Sequence, residues 1–465
     1  MAKETQTQSP DRYRIPRGVG WANAWKIAGG LGVLGLVMSA AGYSADPHRF
    51  AFSWLYAFMA VLAIALGSLF YVIIQHMAGA GWSVTTRRIP ETFASGLWVL
   101  PILFLPVLVV GMDELYQPWL EHSEAVHAEV AEEAEEHSSA GSLLGASVAA
   151  AQQHGTAAQQ HGTAHLEPGG VHASHDAHHT PQHALHSAAI EAKIPFLNRS
   201  FFTIRAVIYF AIWAFLAWFF VSNSLAQDTS KDLNRTKRMQ SGAPIATFAF
   251  GLSLTFAAFD WMMSLEPAWY STIFGVQYFS VSIVSALATI IMVAYALRSS
   301  GILADAIHVE HYHDLGKLMF GFMVFWAYIS FSQFMLIWYA SIPEETTYYH
   351  MRWEGGWQTF SLFLAATHFI IPFFMMISRN VKRRIPLLAF GAAWLLVNHF
   401  LECFWLVMPY ANHGEGGLSV HWMDIATVLG IGGVYLSFVL FRMTQIPLIP
   451  IGDPRLARAL HHEVV

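Results

Sequence analysis

FAFSWLYAFMAVLAIALGSLFYVIIQ, residues 50–75, is an apolar run without a single charged side chain. A hydrocarbon core about 30 Å thick is crossed by about 20 predominantly apolar residues in a helix. Only helices and closed barrels satisfy every backbone group in lipid, and a barrel strand uses about ten residues with alternating polarity. The run therefore predicts a transmembrane helix. Working outward, nine more stretches of this kind follow, at about 21–42, 93–112, 198–222, 244–263, 273–297, 316–340, 357–378, 385–408 and 421–443. The first is longer than the apolar region of a typical secretory signal, so it reads as a helix rather than a leader. Ten helices and an all-α integral membrane fold are the expectation.

Composition agrees. The chain has 465 residues, 55% hydrophobic and only 12% charged, against about a quarter charged in ordinary soluble domains. The connectors between the apolar runs alternate in cation content. One side receives Lys3, Arg12, Arg14, Arg17, Arg87, Arg88, Lys231, Arg235, Lys237, Arg238, Arg298, Arg379, Lys382, Arg383, Arg384, Arg442, Arg455 and Arg458, whereas the other receives little beyond Arg49, Lys193, Arg199 and Arg352. The positive-inside rule makes the richer side cytoplasmic, with both termini inside. Trp21, Trp25, Trp269, Tyr270, Trp353 and Trp357 fall near the predicted helix ends, where interfacial aromatics belong.

The chain then divides into a tail with three helices (1–112), an outer insert (113–197), seven helices (198–443) and a cytoplasmic tail (444–465). The insert holds half of the 24 histidines, an acidic run, and the repeat AQQHGTA at 151–157 and 158–164. Such a tract reads as a solvated low-complexity surface segment, since Ala, Gly, Gln and His build no packed core; metal binding is the competing reading. The net charge of −6 carries no basic patch and implies no nucleic-acid partner. Cys403 is the single cysteine, which excludes an internal disulfide and a cysteine-ligated iron–sulfur cluster on this chain.

Ionisable groups inside a bilayer are costly and mark pathways. Asn398, His399 and Glu402 share a face of the ninth helix by their three- and four-residue spacing. Asp260, Gln333 and Asp424 project to the outer half of the fifth, seventh and tenth helices, His368 to the middle of the eighth, Glu266 to an outer mouth, and His76 to the cytoplasmic end of the second. Together they form a candidate proton path, because carboxylates in low dielectric and histidines exchange protons near neutrality. Helix–helix glue is the bland alternative for each, and Arg205 either snorkels outward or pairs with a carboxylate. His368 with His399 is the single pair placed to ligate a membrane haem, and nothing else in the sequence supports one. No GxxxxGK[ST] loop is present to drive an ATP-powered pump.

FDWMMSLEPAWYSTIFG at 259–275, HYHDLGKLMFGFMVFWAYISFSQFMLIWYASIPEET at 311–346 and TTYYHMRWEGGWQ at 346–358 resemble the F subunit of alternative complex III, a bacterial quinol-oxidising respiratory complex. That subunit is similar to the NrfD-type and polysulfide reductase membrane anchors. The resemblance covers most of the helical chain and excludes the His-rich insert. It implies two four-helix bundles plus two further helices in the bacterial inner membrane, without haem or iron–sulfur centres of its own. It also implies proton conduction or quinol binding (menaquinol or ubiquinol) near the outer face. The implied partners are a related membrane anchor and peripheral iron–sulfur and cytochrome c subunits that carry the electrons to the acceptor. Asp260 falls inside a matched string, whereas His399, Glu402 and Asp424 rest on placement alone. A stand-alone proton-coupled transporter is the rival of another class, for which inverted repeats with matching helix breaks would speak.

Overall fold

The computed structural model describes residues 10–125, 189–412 and 417–463. The His-rich core of the insert, and with it the metal-binding reading, lies outside the described residues. Two compact units are present: residues 117–201, and a larger one made of the rest. Of the smaller unit, 117–125 is helical, with Gln117 donating to Glu121 at 2.8 Å, and Arg199 lies 3.7 Å from Glu124.

Ten helices are long and apolar enough to cross a membrane: α1 Ala24–Ala45, α2 Pro47–Met77, α3 Val84–Val109, α4 Arg199–Ser230, α5 Leu233–Leu265, α6 Phe274–Ser299, α7 Val309–Ala340, α8 Trp357–Met376, α9 Ile385–Ala411 and α10 Trp422–Gln445. No strand occurs among the described residues, and the chain is an all-α, multi-span membrane protein. Both ends of the helical array meet, since the Leu448 N–H donates to the Tyr13 carbonyl at 2.7 Å and Arg14 donates to the Gln445 carbonyl at 3.0 Å. We call this the terminal face; Glu402 lies toward the opposite face, as does the short helix Pro343–Met351 between α7 and α8.

The centre of the array is α2, buried on nearly every side and packed against α6, α10, α3 and α5. Close helix approach depends on small residues, because lipid supplies no hydrophobic drive between helices. At Gly67 of α2 a Cβ would sit 1.9 Å from the Ser282 carbonyl oxygen of α6. The same device joins α1 to α10, where a Cβ on Gly35 would meet the Gly430 nitrogen at 2.3 Å. The outward side of α1 shows Ile27, Leu31, Leu34 and Met38, one lipid-facing stripe at helical spacing.

Two helices depart from the sequence expectation. The third was expected from residue 93, but α3 begins at Val84, so Arg87 and Arg88 are buried helix residues rather than connector cations. TTRRIPE reads locally as a loop; its charges are matched by distant carboxylates instead. In α8 the backbone widens to a π turn over Ala366–Ile370, with the Ile371 N–H reaching back to the Ala366 carbonyl. Pro372 has no N–H for the His368 carbonyl and its ring crowds that oxygen. The Thr367 carbonyl takes the Trp394 indole N–H at 2.7 Å. Single π turns of this kind re-aim side chains, and this one carries His368.

Candidate functional site: a buried carboxylate beside an apolar cavity

Glu402 is buried in α9 and is met from three neighbouring helices. Its Oε1 accepts the Trp326 indole N–H at 3.1 Å and the Gln277 amide at 3.4 Å. Its Oε2 lies 3.2 Å from His368 Nδ1, which the π turn delivers. The His368 ring lies flat on the Trp326 indole, centroids 3.9 Å apart and planes within 10°. Although the carboxylate and imidazole touch, no aligned hydrogen bond joins them, and both His368 nitrogens and Glu402 Oε2 are buried without one. A buried polar atom without a partner is costly, so these atoms have bonding capacity for a proton, a water or a substrate hydroxyl. One turn earlier, Asn398 accepts from the Thr367 hydroxyl at 2.6 Å and donates to the Trp394 carbonyl at 2.9 Å, locking α8 against α9 next to His368.

Glu402 also lines a cavity of about 530 Å³ between α7, α8 and α9. Its wall is mostly apolar, with Phe331, Phe334, Leu362 and Phe369, and its polar groups are Gln277, Ser330, Arg352, Ser361 and Glu402. Arg352 is fully buried and its guanidinium covers the Tyr348 ring at 3.6 Å. It donates to the Tyr348 and Leu406 carbonyls at 2.8 and 3.1 Å, while its Nε has no partner. Among the described residues no carboxylate pairs with it. A guanidinium stays charged at any ordinary pH, so the cavity has a cation and an ionisable acid among its walls. Burial pushes the phenols of Tyr348 and Tyr349 up, against the opposing pull of Arg352.

The other residues of the expected path stand at separate stations. Asp260 accepts two bonds from Arg205, at 2.8 and 2.9 Å, and a third from the Tyr209 hydroxyl at 2.7 Å. Asp424 closes the first turn of α10 by accepting from the His421 N–H at 2.8 Å, and it also binds Ser53 at 2.6 Å and Arg49 at 2.5 Å. His399 contacts the Ala60 carbonyl of α2 at 2.8 Å. Gln333 is buried in α7 with neither amide atom bonded, and Glu266 is half-buried in the α5–α6 connector. His76 lies near the terminal face, stacked on Phe220 at 5.5 Å and with both nitrogens unbonded. Thus Glu402, His368 and Asn398 come together, and Asp260, Asp424, His399, Gln333, Glu266 and His76 do not join them directly.

Sequence reasoning missed a second buried charge cluster near His76. Arg87 binds Glu91 at 3.0 Å and Asp453 at 2.8 Å; Arg88 binds Glu91 at 3.1 Å and Asp228 at 2.6 Å. Arg455 adds a bond to Asp453 at 2.9 Å, and Ser224 lies 2.9 Å from both Glu91 oxygens. Three cations thus face three carboxylates. Burial alone would raise the Asp453 carboxyl, but the Arg455 hydrogen bond and the charge of Arg87 hold it well below the usual carboxylate range. Trp326, Gln277 and Arg352 were likewise missed as site residues, the first two because uncharged donors give no signal in a search for ionisable groups. No protein-family model matches this sequence, and no curated protein matches it.

Proposed function

We propose that this chain is a membrane subunit of a respiratory quinol:electron-acceptor oxidoreductase of the alternative complex III kind. In this reading it sits in a bacterial inner membrane with both termini cytoplasmic and supplies structural core and a transmembrane proton path. It carries no redox centre; a related anchor and peripheral iron–sulfur and cytochrome c subunits handle the electrons. The observation that supports it most is the Glu402–His368 contact of 3.2 Å inside the helix array, an acid and a base at proton-transfer distance with unused bonding capacity. A proton on Glu402 passes to His368 Nδ1 and leaves from Nε2, with Trp326 and Gln277 steadying the carboxylate and waters at Asn398 and Gln333 extending the chain. His76 lies near the opposite entrance. Asp260, held by three bonds, acts here as a clamp that sets the local potential.

A second reading is favoured by the 530 Å³ cavity: direct quinol binding, with the isoprenoid tail in the apolar wall and a headgroup hydroxyl on Glu402. The two readings separate in the assembled complex carrying Glu402→Gln. A proton path predicts lower proton release per electron at unchanged quinol KM. A quinol site predicts a raised KM. Unchanged values of both would refute the assignment of Glu402 to either task.

A further inference from the structure

At the terminal face, where α1 starts beside the end of α10, a cavity of about 730 Å³ is lined by Arg14, Arg17 and Lys26 together with Asn23, Trp25 and Phe441. Among the described residues no acidic side chain lines it. We infer that this cavity binds the headgroup of an anionic glycerophospholipid, of the phosphatidylglycerol or cardiolipin class. Three cations converge on one volume, and the size falls in the range of about 300–1,000 Å³ typical of ligand pockets. The first turn of α1 opens into the same place; its N-cap residue, Asn23, makes no side-chain bond to the backbone N–H groups there. The positive end of the helix dipole adds to the attraction for a phosphate.

Chemistry below the cavity selects a lipid over a free anion. Trp25 packs edge-on against Phe441 at 5.4 Å and Lys26 lies over the Trp25 ring at 5.6 Å, an arrangement that suits the depth of lipid headgroups. Directly along the helix from Lys26 runs the exposed stripe of Ile27, Leu31, Leu34 and Met38, which offers a track for an acyl chain. Basic pockets between membrane helices at a bilayer surface bind anionic headgroups in this way. The inference depends neither on the redox assignment nor on the orientation of the chain, because anionic lipid is recognised by the same groups in either leaflet.

The test is native mass spectrometry of the full-length protein, delipidated and then offered phosphatidylglycerol, phosphatidylcholine or inorganic phosphate. The expected result is one retained phosphatidylglycerol per chain, binding at least about tenfold weaker in Arg17→Gln/Lys26→Gln. The control, Arg379→Gln/Arg384→Gln, removes two exposed cations elsewhere and retains the lipid. Both substituted pairs are exposed, so folding is preserved, and an unchanged unfolding midpoint confirms it. Equal retention of phosphatidylcholine, equal binding of inorganic phosphate, or undiminished lipid in Arg17→Gln/Lys26→Gln would each overturn the assignment. So would a cross-link from Lys26 to an acidic protein segment in the assembled complex with no lipid at the site.

Discussion

Asp260→Asn distinguishes a static clamp from a proton carrier. In the native protein the carboxylate accepts two bonds from Arg205 and one from Tyr209, all at 2.7–2.9 Å, and no part of Asp260 is exposed. The neutral amide keeps one oxygen for Tyr209 or Arg205 but removes the Asp260 charge from beside the guanidinium, itself only 6% exposed. Breaking a buried pair from one side costs about 3–5 kcal/mol. Replacing both partners with apolar groups, as in Arg205→Met/Asp260→Leu, removes both charges of the pair together and recovers most of that loss. Tyr209 still loses its acceptor, so about 1–3 kcal/mol stays lost. The assay is equilibrium unfolding in mixed micelles across the double-mutant cycle, followed by activity of the assembled complex. A coupling energy below about 1 kcal/mol would refute the clamp. So would a folded Asp260→Asn protein that loses proton release while keeping quinol turnover.

At Glu402 the same logic separates size from charge. Glu402→Gln preserves an acceptor for Trp326 and is expected to cost under about 1 kcal/mol, whereas Glu402→Ala orphans the Trp326 and Gln277 donors and costs about 2–6 kcal/mol at 1–3 per donor, read from the same unfolding curves. Gly35→Leu, whose Cβ alone would overlap Gly430 at 2.3 Å, is expected to part α1 from α10; faster proteolysis at the N-terminal end and a lower unfolding temperature would report it. Asp453 supplies a pH dependence with a definite sign. Its native carboxyl titrates below the unfolded value of about 4, so the unfolded chain binds more protons there. The stabilisation is complete above about pH 4 and is lost as pH falls below it. Asp453→Asn is expected to flatten that acid limb of the stability curve.

Hydropathy alone made the ten spans legible, because a helix in lipid must be apolar for its whole crossing and loops must not be. The start of α3 was not legible for the converse reason. Arg87 and Arg88 look like a connector until Asp228 and Asp453 are seen beside them, and those partners come from α4 and from beyond α10. Glu402 and His368 could each be singled out as intramembrane ionisable residues. Their meeting could not, since it requires the π turn before Pro372 and the facing of α8 on α9. Asn398 and His399 were grouped with Glu402 by helical spacing, yet adjacent positions diverge: Asn398 turns to Thr367 while His399 turns to α2. Arg352 was counted only as an outer connector cation, because aromatic shielding by Tyr348, Trp405 and Tyr410 leaves no periodic trace.

The bond between Arg87 and Asp453 spans 366 positions, and this imposes an order on biosynthesis. When α3 leaves the ribosome its two arginines have only Glu91 to share. Asp228 arrives with α4, and the third carboxylate is made only after α10 is complete. The Gly452 N–H, which binds Asp228 at 3.2 Å, arrives with it. Until α4 is made α3 carries one positive charge more than Glu91 can match, and until Asp453 is made Arg87 lacks its second carboxylate. A chain lacking the segment after α10 would keep all ten spans yet leave Arg87 without Asp453 and Asp228 without the Gly452 N–H, so that segment completes the packing of α3 and α4.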